Sequence, residues 1–422
     1  MDAEPLPQRG ISLADLARVA AVGVGAALFA EAFRAASRLV YGLFGRDGTL
    51  RWITALSWPV RVASIAVACV LGAWLARLAS QRGSASVTKI AEIVAEGSQP
   101  LSIRGALLRA LGAFAAMTAG GSIGREGPII QFGASWGLRV GKHAHEIRAR
   151  ELVAAGTAAG FAAAYNAPIA GTLFVIELMP RLPARLTVAR LGVATVAGAV
   201  TAHAISRDLP LYGAHALGFD RTPQLVAFAL VGLVCGAIGA AFMKSVRATR
   251  AQVAARAGSR PWIVSVLFGL LAGCVIATAP ITAGNGYDGI TSALESRPTI
   301  AFAAGWLLLK AVATIATVSS GAPGGVFTPS MFLGAMAGLG LQRAFVHLAP
   351  GLAPSHASMA FVGMASMIAA TTHAPLTAAV LAIELSGSAG LTLPLLLAVG
   401  LSSLVARRLD EDNIYEIESE AR

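Results

Sequence analysis

The sequence predicts an all-α integral membrane protein built from two related halves, with helices that break inside the bilayer. Three observations predict it. Only 13% of the 422 residues are charged, against about 25% in soluble globular chains. The composition is 56% apolar and the mean hydropathy is +0.69, so polar surface is too scarce to cover a water-soluble core. Finally, one order of glycine-rich turn and Pro-Glu helix occurs twice along the chain. This composition excludes an ordinary soluble enzyme, a nucleic-acid module and a disordered chain.

Residues 1–16 form a short polar N-terminus with mixed charge, lacking the basic region and cleavage site of a signal peptide. A membrane domain is expected over residues 17–408, in halves of 17–205 and 220–408. Residues 409–422 make a tail too short for a folded regulatory domain. Within the membrane domain, Thr222–Met243 and Pro261–Tyr287 carry no charge, and Ala311–Ala406 carries only Arg343 and Glu384. One span needs about 20 apolar residues, which brackets the chain at about eight to twelve membrane segments. The runs do not alternate apolar and polar residues, which argues against a β-barrel. Cys69, Cys235 and Cys274 lie in apolar runs without metal-ligand spacing and read as small core residues. The net charge of +11 fits basic loops beside anionic lipid rather than nucleic acid, and its field also suits an anion pathway.

The repeat is specific. Ala162-Ala163-Ala164-Tyr165-Asn166-Ala167-Pro168-Ile169 matches Ala369-Ala370-Thr371-Thr372-His373-Ala374-Pro375-Leu376, and a glutamate follows nine residues after each proline, at Glu177 and Glu384. A glycine-rich turn precedes each: Gly124-Arg125-Glu126-Gly127-Pro128 and Gly325-Val326-Phe327-Thr328-Pro329. Breaks at membrane depth are tolerated only where backbone is buried in protein or lines a watery cavity. Inverted repeats whose broken helices meet near the midplane are a common transporter design.

The chemistry lies in the turns. Pro128 suits the first turn of a helix, and the flanking glycines let backbone approach a ligand closely. The N-terminus then offers free N–H groups and a partial positive charge. Gly124, Arg125 and Gly127, with Gly325 in the second turn, are thus candidate anion-binding positions. Such a site holds an anion without a full buried cation, weakly enough for it to leave. Glu126 either gates the site by competing with the anion or pairs with Arg125 or another base. Glu177 and Glu384 are intramembrane carboxylates and so functional candidates. Their equivalent placement in both halves favours a shared structural role, hydrogen-bonding free backbone groups. No intramembrane Ser/His/Asp set, paired aspartates or H-E-x-x-H motif points to an enzyme.

Gly124-Arg125-Glu126-Gly127-Pro128, Gly321-Ala322-Pro323-Gly324-Gly325-Val326-Phe327-Thr328-Pro329 and Asn166-Ala167-Pro168 together resemble the CLC family of chloride channels and transporters, most nearly its bacterial ClcB-type branch. The resemblance runs over essentially the whole chain. It implies the CLC inverted-repeat helical bundle, with broken and half-spanning helices. It further implies a homodimer with one anion pathway per subunit, cytoplasmic termini and a place in the bacterial inner membrane. Glu126 matches the family's gating glutamate. The amides of Val326 and Phe327 match those that bind the central anion, and Tyr415 matches the tyrosine that closes the inner side. Ser86 fits best the family's anion-binding serine, although the surrounding Gly and Pro are replaced. The inner proton-route position of coupled members is Leu178 here, and leucine relays no protons. The expectation is a passive voltage- or pH-gated chloride channel with chloride as its bound ion and no cofactor. A chloride/proton antiporter is the alternative, and a fluoride exporter the third reading.

Overall fold

The computed structural model describes residues 12–84, 87–96, 101–142, 146–179, 184–206, 212, 217–257 and 260–412. Seventeen α-helices occur among them. The first nine are α1 (Leu13–Leu43), α2 (Thr49–Ala55), α3 (Trp58–Ser80), α4 (Val87–Glu96), α5 (Ile103–Thr118), α6 (Glu126–Val140), α7 (Glu146–Tyr165), α8 (Pro168–Leu178) and α9 (Ala184–Ser206). The rest are α10 (Leu225–Ala257), α11 (Pro261–Thr278), α12 (Tyr287–Ser296), α13 (Ile300–Ser319), α14 (Phe327–Leu348), α15 (His356–Thr372), α16 (Pro375–Ser386) and α17 (Thr392–Leu409). Eight helices among the described residues are long and apolar enough to cross a membrane, while α8 and α16 are shorter apolar helices. Long spans mixed with half-length helices are the architecture the sequence predicts.

The duplication is visible in the packing. In the first half α6 lies against α7 at Gly133 and Gly156, where an added Cβ would sit 2.2 and 2.0 Å from the other's carbonyl oxygen. In the second half α14 lies against α15 at Gly334 and Gly363, with the same clearance of 2.2 Å on both sides. Small residues at helix contacts let membrane helices approach backbone to backbone. The breaks before the two prolines also match. Asn166 and His373 take left-handed φ values of +54° and +55° and end α7 and α15 in the same way.

Glu177 and Glu384 join the halves. Glu177, near the end of α8, accepts hydrogen bonds from the amides of Leu376 (3.0 Å) and Thr377 (2.7 Å) and from Thr377 Oγ1 (2.6 Å). Glu384, near the end of α16, accepts from the amides of Ile169 (2.9 Å) and Ala170 (2.8 Å). Each carboxylate thus caps the proline-started N-terminus of the other half's short helix, where free N–H groups need acceptors. This is the shared structural role expected of them.

Cys69 and Cys235 are buried, but Cys274 is only half-buried. It follows Gly273 on α11 and falls off the buried stripe through Gly269, Gly273 and Ile276.

Candidate functional site: two helix N-termini meeting at a cavity

The two glycine-rich turns meet at the centre of the fold. Gly124 N–H donates to Gly325 O at 2.7 Å, and Gly325 N–H donates back to Gly124 O at 3.0 Å. This antiparallel bridge is the one β pairing among the described residues. Close approach is required here. A Cβ on Gly324 would meet Ile123 at 2.7 Å, and one on Gly325 would meet Glu126 Oε1 at 2.5 Å. The bridge points the start of α6 and the start of α14 at the same space.

Glu126 is 3% exposed. Its Oε1 accepts from the backbone N–H of Thr328 at 3.1 Å, and its Oε2 from Thr328 Oγ1 at 2.9 Å. The carboxylate therefore occupies the N-terminus of α14, where an anion is favoured by free amides and the helix dipole. Among the described residues no ion pair joins Glu126 to Arg125, so its carboxylate is held by the other half's helix. Thr328 Oγ1 lies 3.0 Å from the Tyr165 hydroxyl. Because the Thr328 proton points to Glu126, Tyr165 is the donor of that pair. Phe327 packs on Tyr165 and Phe161, with ring centroids 5.4 Å apart in each case.

A cavity of about 60 Å³ opens beside this network. Glu126, Gly127, Gln131, Gly325, Val326 and Phe327 line it, with Phe161 from α7, and Arg109 and Arg250 stand on its wall. Five of the residues singled out in the sequence thus share one cavity: Glu126, Gly127, Gly325, Val326 and Phe327. Gly124 makes the bridge behind it, and half-buried Arg125 heads α6 without lining it. Ser86 and Tyr415 lie outside the described residues.

Sequence reasoning missed four features here. Thr328 and Tyr165 sit inside motifs already noted, Thr328 directly after Phe327 and Tyr165 directly before Asn166-Ala167-Pro168. Gln131 is a polar residue in the apolar stretch after Pro128, a signal that was available. Lys310, just before the nearly uncharged run from Ala311, is fully buried in α13. Its ammonium donates to Thr282 O (2.9 Å) and Gly284 O (2.8 Å) and lies 5.5 Å from the Phe332 ring centroid. Gly284 N–H in turn donates to Gly120 O at 2.9 Å, tying this loop to the segment that leads into the first turn.

The chain resembles known proteins along nearly its full length. A family model described as "Voltage gated chloride channel" matches residues 63–407. The voltage-gated ClC-type chloride channel ClcB of Salmonella typhimurium is 32% identical over 410 residues, covering 93% of this chain and 96% of that protein. The ClcB of an Escherichia coli strain is 30% identical over 414 residues, with the same coverage of 93% and 96%. Among solved structures, a slow cyanobacterial Cl−/H+ antiporter superposes with a TM-score of 0.86 at 26% identity, covering 96% of this chain and 97% of that one. A CLC-type fluoride/proton antiporter shares the fold, with a TM-score of 0.77 at 20% identity and coverage of 97% and 99%. On these matches the chain belongs to the CLC family of voltage-gated chloride channels and transporters, a multi-pass membrane family.

Proposed function

We propose that this protein conducts chloride passively across a bacterial inner membrane, with Glu126 as the gate. The observation that carries this reading is the Glu126 carboxylate lying on the Thr328 amide at the N-terminus of α14. A charged Glu126 fills the place an anion would take. A protonated Glu126 gives up that place, and chloride then loses water against the N–H groups of Val326 and Phe327. Arg109 and Arg250 draw anions towards the cavity without a full charge at its centre. Ser86 and Tyr415 are assigned as hydroxyl ligands by their match to the family pattern.

Leu178 supports passive conduction. It ends α8 and packs against the apolar core, and it has no group to pass a proton. The likeness to a cyanobacterial Cl−/H+ antiporter favours a second reading, chloride/proton exchange. The reversal potential of the purified protein in a planar bilayer decides between them. Under a fixed chloride gradient, a channel holds the chloride equilibrium potential whatever the pH gradient. A reversal potential that moves with the pH gradient makes the protein an exchanger.

Two copies are proposed to pair through α8 and α16. Ile169 and Leu376 are 60% and 53% exposed there, beside the reciprocal carboxylate caps. Hydrogen-bonded carboxylates facing lipid are costly, and a second copy covers them.

A further inference from the structure

Gln131 is a polar side chain at the cavity that the function above leaves without a task. Gly127, Ile130 and Gln131 stand three and four residues apart and form the face of α6 on the cavity wall. Gln131 is 3% exposed, and its Oε1 is buried without a hydrogen-bond partner. The same wall carries the apolar side chains of Val87, Phe161, Val326 and Phe327, with Glu126, Arg109 and Arg250 as its charged groups. A buried amide oxygen left unpaired is costly, and a methionine of the same length would avoid the cost. An unpaired buried amide on the wall of this cavity is explained by a ligand that enters and leaves.

We propose that Gln131 is a side-chain ligand of the permeating anion, donating its amide N–H when the anion occupies the cavity. The inference rests on the chloride reading above and adds a ligand to it. Rotation about the last side-chain torsion exchanges Oε1 and Nε2 in space. The N–H can thus be turned towards an anion in the cavity, while Oε1 is left unpaired when the cavity is empty. A neutral donor adds selectivity for a small anion without trapping it as another arginine would.

The test compares full-length wild type with Gln131→Met in detergent, melted in sodium chloride and in the sodium salt of a large organic anion. Chloride raises the wild-type melting temperature. Gln131→Met melts at or above wild type without chloride, because it loses an unpaired polar group. Its chloride-dependent rise needs about tenfold more chloride or more, the loss of a hydrogen bond to a charged partner. A Gln131→Met protein with the wild-type chloride dependence overturns the ligand role while leaving the chloride reading intact. A wild type that gains nothing from chloride overturns both. If Gln131→Met does not fold, Gln131→Asn replaces it: the amide is kept but withdrawn by one methylene, and an unchanged chloride dependence there also overturns the role.

Discussion

Glu126 and Thr328 stand 202 residues apart and hold each other at the centre of the fold, carboxylate to backbone N–H and carboxylate to hydroxyl. Glu126 opens one half's helix, and Thr328 lies in the first turn of the other's. The carboxylate's position is therefore set by both halves, and a change in either reaches the gate.

Thr328→Val tests that coupling. It removes the hydroxyl donor and leaves the backbone N–H. The charged carboxylate is then held less firmly, so protonation releases it at higher pH. Flux rises on acidification in both proteins, but the rise in Thr328→Val is displaced to less acidic pH by about one to two units. Chloride efflux from liposomes over a pH series checks this. Tyr165→Phe, which removes the hydroxyl that donates to Thr328, shifts the curve the same way by less.

The reciprocal caps predict an ordering. Glu177 accepts three hydrogen bonds and Glu384 two. Glu177→Ala therefore destabilises more than Glu384→Ala, because it leaves three donors rather than two without their carboxylate acceptor. Melting of the two variants in one detergent gives the comparison.

Gly133→Ala and Gly334→Ala probe the helix contacts of the two halves. Each puts a methyl group 2.2 Å from an opposing carbonyl oxygen, and the helices must separate. Both variants lose folded yield by size-exclusion chromatography. Gly305→Ala, in α13 with open space around the new methyl, keeps wild-type yield.

Much of this was legible in the sequence because local chemistry fixed it. The turns at Gly124 and Gly325 announce helix starts, and the Pro-Glu spacing at Pro168–Glu177 and Pro375–Glu384 announces a pair of matched caps. What the spacing could not reveal was which partner each group meets. Thr328 reaches Glu126, and Tyr165 reaches Thr328, only because the halves fold onto one another. Gln131 and Lys310 were readable as polar residues inside or beside apolar runs, but their surroundings depend on contacts from other helices. Cys274 looked like core because an apolar run in a membrane protein does not say which face meets lipid.

Lys310→Met removes the buried ammonium that holds the Thr282 and Gly284 carbonyls. Two acceptors lose a charged donor, and the variant loses about 2–4 kcal/mol of stability. The loop they anchor bonds to Gly120, so the loss is seen both in the melting temperature and in faster proteolysis around residues 280–286.

Chloride efflux from liposomes carrying wild type or Glu126→Ala, at acidic and at neutral pH, bears most directly on the gate. Wild-type efflux should be slow at neutral pH and rise on acidification, because charged Glu126 holds the anion's place at the start of α14. Glu126→Ala should conduct at both, with little dependence on pH. A Glu126→Ala protein that keeps the wild-type pH response would contradict the gate.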